Sequence, residues 1–175
     1  EVPQYYSIGD EIYEGSAGPS PSEFYRLMRE GSMPKSQAVN PAVVEKTFRE
    51  ILDADKDILY ISFSSALSGS CDIVRMVAKQ LVEEEYPDAV IEVIDSLCVS
   101  LGEGLLVNKA LAMQAQGKTL AEVRDWLVEN AVHVCVKFTV DDLFHLQRGG
   151  RVSKATAVVG SVLNLKPVLK LTPEG

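Results

Sequence analysis

Three short apolar runs, DILYISF (57–63), AVIEVID (89–95) and VHVCVKF (132–138), alternate with stretches of helical periodicity. That alternation narrows the choice of fold more than any other feature. Val- and Ile-rich runs of this length read as strands buried on both faces. The helical segments between them are long enough to serve as crossover connections. The expectation is an α/β fold with a mostly parallel sheet flanked by helices.

The helix boundaries are legible in capping residues. Ser20-Pro21-Ser22-Glu23 reads as a capping box with proline at the first helical position, and Gly31 ends that helix. Asn40-Pro41 opens the next, which carries Val44, Phe48, Ile51 and Leu52 on one face. DIVRMVAKQLVEEEY (72–86) follows the first apolar run, and a further helix over 103–116 is stopped by Gly117. Thr119-Leu120-Ala121-Glu122 is a second capping box, opening a helix to about Asn130. A short helix over 141–147 ends at Gly149-Gly150, another is expected over 154–164, and KPVLKLT (166–172) reads as extended.

The chain of 175 residues suffices for one domain with a core, or one domain and part of another. Lys and Arg total 17 against 25 Asp and Glu, and the resulting net charge of −8 argues against a nucleic-acid or membrane-surface binder. No stretch approaches the roughly 20 apolar residues of a membrane span. EVPQYYSIGDE at the start is neither basic nor apolar enough for a secretory signal. Cys71, Cys98 and Cys135 are odd in number and widely spaced, with no CxxC, which fits neither a disulfide framework nor a zinc site. Cys135 sits in the third apolar run and is expected to be a small buried side chain. These features point to a reducing, cytoplasmic compartment.

In open parallel sheets, ligands bind beyond the carboxyl ends of strands, where helix N-termini present free N–H groups. Three segments fall there: SSALSGS (64–70), DSLCVSLGEG (95–104) and TVDDLFHLQRGGRVSK (139–154). In the first, Ser65 or Ser68 can cap the following helix, and Gly69 permits a tight turn. The small side chains also leave backbone N–H groups open to an anion. Capping and anion binding remain alternatives on spacing alone. In the third, Arg148 and Arg151 flank a glycine pair. They suit bidentate carboxylate or phosphate binding, or simply a solvated helix end, and Lys154 adds charge.

Other motifs fail. Gly102-Glu103-Gly104 lacks the third glycine of a dinucleotide fingerprint, and no phosphate-loop motif is present. A Ser68/His145/Asp95 hydrolase has no GxSxG elbow around its serine. Asp141-Asp142 suits a metal, or equally an acidic first turn complementing a helix dipole. His145, among Leu143, Phe144 and Leu146, reads as a structural histidine.

SSALSGS, DSLCVSLGEG, VDDLFHLQRGGRVSK (140–154) and LNLKPVL (163–169) occur in the order and rough spacing of the DegV family, which this chain resembles over most of its length. MPKSQAVNP (33–41) is similar to that family's Thr-Ser-Gln loop. The resemblance implies a two-lobed α/β protein that binds one long-chain fatty acid, its carboxylate at the strand ends and its acyl tail in an apolar tunnel. Such a protein is no enzyme. It presents the acid to a separate fatty acid kinase, which makes an acyl phosphate for bacterial phospholipid synthesis, and it needs no cofactor and no metal.

Carried onto this sequence, the resemblance assigns head-group contacts to the Ser36 and Ser68 hydroxyls and places Arg151 near the head group; the Gly69–Ser70 backbone N–H groups are expected to join them. Ser36 stands where the family usually has threonine. Residues 155–160, rich in small side chains, suit the tunnel wall or close helix packing. Residues 1–165 correspond to the N-terminal lobe without its usual first strand, and residues 166–175 to the start of a second lobe otherwise missing. The competing reading is an enzyme or subunit acting on a small phosphorylated or carboxylated metabolite. A transcription regulator is disfavoured by the acidic balance.

Overall fold

The computed structural model describes residues 1–141, 143–153 and 166–174. The chain divides into two compact units. Glu1–Ile58 with Asp72–Ile91 forms the first, and Leu59–Cys71 with Glu92–Gly175 forms the second.

The first unit opens with a hairpin of β1 (Tyr5–Ile8) and β2 (Glu11–Glu14), paired antiparallel. Gly9, with φ +60°, takes the first position of the two-residue turn, as glycine does in a primed hairpin turn. β3 (Lys35–Ser36) pairs with the other edge of β1, giving the order β2-β1-β3. Tyr6 stacks on Tyr13 across the hairpin at 5.4 Å and meets Phe24 edge-on at 5.5 Å. A Cβ on Gly18 would stand 1.9 Å from the Tyr6 hydroxyl, so only glycine leaves room for that ring.

α1 (Pro21–Arg29) is capped by Ser20, whose hydroxyl accepts from Glu23 N at 3.3 Å. The Glu23 carboxylate accepts from the Arg26 guanidinium at 2.6 Å. α2 (Pro41–Leu52) is capped by Asn40, which accepts from Ala42 N at 3.0 Å. It buries Val44, Phe48 and Leu52, one per helical turn. α3 (Ser70–Glu84) buries Val74, Ala78 and Leu81 at the same periodicity. The ends of α2 and α3 are tied by Arg49 to Glu85 at 2.5 Å and by Tyr86 Oη to Asp53 at 2.7 Å.

β4 (Ile58–Ser62) pairs with β5 (Ile91–Asp95). Ile58 N–H donates to the Val90 carbonyl and Ser96 N–H to the Ser62 carbonyl. Residue numbers climb together along both strands, which makes the ladder parallel.

The second unit centres on α4 (Leu101–Ala115) and α5 (Leu120–Asn130). Leu106, Ala110 and Met113 of α4 cluster with Val123 and Leu127 of α5 and with Ile94 of β5. Thr119 and Glu122 close a full capping box on α5, with Thr119 N donating to Glu122 Oε2 at 2.8 Å and Glu122 N to Thr119 Oγ1 at 3.2 Å. A 3₁₀ turn, Ala131–His133, follows. β6 (Lys137–Thr139) and β7 (Val168–Lys170) pair antiparallel, and α6 (Leu143–Arg148) lies between them in sequence. No helix among the described residues is long and apolar enough to cross a membrane.

The α/β class expected from the alternating runs holds. The sheets are smaller and more mixed than expected, with parallel pairing in β4–β5 and antiparallel ladders elsewhere. Of VHVCVKF, only the end is strand. Its first residues complete the 3₁₀ turn, and the ladder begins at Lys137, where β7 lies opposite. Cys135 is exposed rather than buried. Val134 and Val136 on either side of it pack on the core, and in extended backbone that alternation turns Cys135 outward. The N-terminal hairpin adds two strands to those expected from the apolar runs. The helix expected over 154–164, with the small-residue segment 155–160, lies outside the described residues.

Candidate functional site: the turn after β4

The chain leaves β4 into a hydroxyl-lined turn. Leu67 N–H and Ser68 N–H both donate to the Ser64 carbonyl at 3.2 Å, closing residues 64–68 on themselves. Ser68 Oγ then accepts from Ser70 N at 3.2 Å, and the Ser68 and Ser70 hydroxyls share one hydrogen across 2.9 Å. Of the two serines expected to cap α3, Ser68 takes the role, one residue further out than a standard N-cap. Ser65 does not; its N–H donates to Asp95 Oδ1 at 3.2 Å.

Gly69 differs from expectation. Its φ lies outside the left-handed region, so the turn does not demand glycine on backbone grounds. Nothing stands within 4 Å of where its Cβ would be. The missing side chain leaves open space beside the first turn of a 15-residue helix, α3.

The loop after β5 braces this turn. Ser64 N–H donates to the Cys98 carbonyl at 2.9 Å. Asp95 Oδ1 also accepts from Leu97 N at 3.0 Å, so this carboxylate organises two backbone segments. Ser96 Oγ accepts from Cys98 N at 3.1 Å and donates to the Cys98 carbonyl at 3.2 Å. Leu97 and Ser100 hold φ of 53° and 51°, conformations non-glycine residues rarely adopt. Such outliers concentrate at ligand clamps, where the surroundings hold them in place. Ser62, Ser64 and Ser96 are fully buried, and among the described residues the Ser64 hydroxyl has no hydrogen-bond partner.

Electrostatics focus on Glu103, in the first turn of α4. Burial pushes its carboxyl above the usual range. The Tyr60 hydroxyl and the Cys98 thiol are raised too, chiefly by burial and then by the nearby Glu103 charge. Gly102 lets α4 sit close here. A Cβ at that position would come within 2.5 Å of Val136 Cγ2 and 3.3 Å of Cys98 Sγ.

Gly149-Gly150 forms a Schellman closure of α6. Gly150 N–H donates to the Gln147 carbonyl at 2.9 Å, Arg151 N–H donates to the Leu146 carbonyl at 3.0 Å, and Gly150 has φ +80°. From this anchored position the Arg151 side chain reaches the serine turn. Its Nη2 and Nε donate to the Leu67 carbonyl at 3.1 and 3.3 Å, and Nη1 donates to the Gly149 carbonyl.

Ser68, Gly69 and Arg151 are thus gathered in the second unit. Ser36 belongs to the first unit, exposed on β3 opposite Tyr6. Asp141 is held below the usual carboxylate range by Lys166, 2.6 Å away, and Asp142 lies outside the described residues. Among the described residues no cluster of His, Cys, Asp or Glu could hold a metal ion. Sequence reasoning missed Ser64, Glu103 and the Leu67 carbonyl. Ser64 was visible as part of the serine run; the other two depend on contacts between distant segments.

A family model described as uncharacterised protein, DegV family, matches residues 2–175. The chain belongs to the DegV family. The resemblance read from the separated motifs therefore holds. A DegV domain-containing protein of Clostridium perfringens is 42% identical over 156 residues, covering 89% of this chain and 53% of that one. Among solved structures, a DegV family protein from Thermus thermophilus, described by its fatty acid binding, superposes with a TM-score of 0.85 at 30% identity. The match covers 99% of this chain and 60% of that one. A fat acid (stearic acid)-binding protein from Eubacterium ventriosum matches with a TM-score of 0.87 at 25% identity, again over 99% and 60%. The chain thus spans between about half and three fifths of these DegV relatives' length.

Proposed function

We propose that this DegV chain binds one long-chain fatty acid, with the carboxylate at the turn after β4. The observation that carries the reading is the presentation of Ser68. Its oxygen accepts from Ser70 N–H. The Ser68 and Ser70 hydroxyls lie 2.9 Å apart and either can be the donor; in the arrangement where Ser70 donates, the Ser68 O–H is left to meet an acid group. Open space beside Gly69 and the start of α3 supply room and a favourable dipole for an anion. Arg151 adds positive charge close by, and the family resemblance assigns a further hydroxyl contact to Ser36. The fatty-acid-binding relatives from Thermus thermophilus and Eubacterium ventriosum support the ligand class.

The acyl tail occupies an apolar tunnel in this reading. Its burial contributes about 0.8 kcal/mol per CH₂, so the tail dominates affinity and the head group fixes orientation. The protein acts as a carrier rather than an enzyme, working in the cytoplasm. By family resemblance it hands its acid to a fatty acid kinase for phospholipid synthesis.

Ser68→Ala combined with Ser36→Ala tests the reading. A hydrogen bond to a charged group is worth about 1.5–3 kcal/mol, so losing one weakens octadecanoic acid binding by at least about tenfold. The double variant should still fold, its stability lowered by no more than the loss of one helix cap, about 0.5–2 kcal/mol. Undiminished affinity in the folded double variant would refute the head-group assignment. Native mass spectrometry of protein purified from a bacterial host should show an endogenous lipid of fatty acid mass.

A further inference from the structure

Arg151 enters the carrier reading as a charge near the head group, yet its guanidinium is already committed to backbone carbonyls. Three of its nitrogens donate to Leu67 and Gly149, and the Leu67 contact crosses 84 positions of sequence. We infer that Arg151 is a positioning residue for Ser68, acting through the Leu67–Ser68 peptide. The inference rests on the fatty-acid reading for its ligand, but its geometry stands alone.

That peptide is pinned at both ends. Its carbonyl accepts from Arg151, and its N–H donates to the Ser64 carbonyl at 3.2 Å. With the plane of one peptide fixed, the direction of the Ser68 Cα–Cβ bond is largely fixed as well. The Ser68 oxygen is held in turn by Ser70 N–H. The strap is anchored from behind by the Schellman closure, which sets where residue 151 leaves α6. A planar guanidinium suits this task because two of its N–H groups converge on one carbonyl while a third reaches another. A lysine ammonium carries the same charge without that fork. The glycines of RGGR therefore place an arginine that shapes the LSG turn, joining two of the family's separated motifs in one device.

The test uses the full chain with octadecanoic acid and 1-octadecanol as probes, and Arg151→Lys, Arg151→Gln, Ser68→Ala and Ser68→Ala/Arg151→Lys as variants. Amide exchange at Ser68, read without ligand, should speed up in both Arg151 variants. Arg151→Lys should lose octadecanoic acid affinity by about tenfold, the scale of one hydrogen bond to a charged group. The loss should vanish in the Ser68→Ala background, because the strap acts through that hydroxyl. Binding of 1-octadecanol should change little. Full affinity in Arg151→Lys with loss in Arg151→Gln would make Arg151 a direct charge contact and overturn the inference. Additive losses in the double variant would do the same. If wild-type protein ignored octadecanoic acid, the fatty-acid reading would fall, and unchanged Ser68 exchange would separately remove the strap.

Discussion

Replacing two glycines of the same helix separates packing from helix propensity. Gly102 and Gly104 both lie in the first turns of α4. Alanine is favoured over glycine inside a helix by up to about 1 kcal/mol, and that gain applies to both sites. Only Gly102 is crowded. Its new Cβ would stand 2.5 Å from Val136 Cγ2 and 3.2 Å from Cys98 Cβ, whereas nothing lies within 4 Å at Gly104. Val136 cannot yield easily, because a β-branched side chain has few alternative rotamers. Overpacking of this kind costs about 1–3 kcal/mol. The two variants should therefore differ by about 1–3 kcal/mol, with Gly104→Ala slightly more stable than wild type and Gly102→Ala less stable.

In a chain of this size, each kcal/mol moves the thermal midpoint by about 2–4 °C. Differential scanning fluorimetry resolves that, and urea titration checks it. Gly102→Ala combined with Val136→Ala, which deletes the obstructing methyl, should recover part of the clash while losing some core burial. The effect should also reach the site. Cys98 carries the carbonyl that accepts from Ser64 N–H, so pushing Cys98 should loosen the serine turn. Equal midpoints for Gly102→Ala and Gly104→Ala would refute the close approach of α4 to Val136 and Cys98.

Further perturbations probe other parts of the arrangement. Glu103→Gln should stabilise the protein at neutral pH: burial raises the folded carboxyl's pKa, so ionisation costs stability as pH rises above the unfolded value, and the two proteins should converge in acid. Thermal melts from pH 4 to 8 check the sign, and a wild-type advantage at pH 7 would contradict it. Glu122 runs the opposite way, because Lys118 and the Thr119 cap hold its carboxyl down at about 2; its contribution should persist at neutral pH and fade as pH falls from the ordinary carboxylate range toward 2. Gly69→Ala should leave the melting midpoint unchanged, since its Cβ meets nothing, yet weaken octadecanoic acid binding by filling the space beside the turn. A thiol reagent should modify Cys135 rapidly in native protein and reach the buried Cys71 and Cys98 only on unfolding.

Capping chemistry made the helices legible. Ser20, Asn40 and Thr119 each accept the backbone hydrogen bond that their position implied. Those signals are local, and a helix start needs nothing from elsewhere in the chain. Strand identity is different. VHVCVKF has strand composition throughout, but it becomes a ladder only where β7 supplies a partner. Period-two alternation still sorted its side chains, which is why Val134 and Val136 face the core while Cys135 does not. The hairpin at Tyr5–Glu14 did carry a local mark in Gly9-Asp10 between two tyrosine-bearing runs.

The same distinction explains what was readable in the site. The serine turn announced itself through composition, because small hydroxyl residues between a strand and a helix have few purposes. The grouping of Gly69 and Arg151 with Ser68 came from motif order rather than contact. What no local pattern holds is how the parts constrain one another. The Leu67 carbonyl looks like any other in sequence, yet the Arg151 guanidinium converges on it from 84 positions away. Asp95 looks like a candidate catalytic acid, yet its carboxylate accepts from Ser65 N–H and Leu97 N–H and so is spent on backbone order. Ser64 looks like one serine of four, yet it is buried beneath the turn, and among the described residues its hydroxyl meets no partner. Preorganisation of this kind lowers the entropy lost on binding without adding any contact to the ligand. A binding turn can therefore be recognised from its own residues, while the residues that make it rigid are recognised only once the chain has folded.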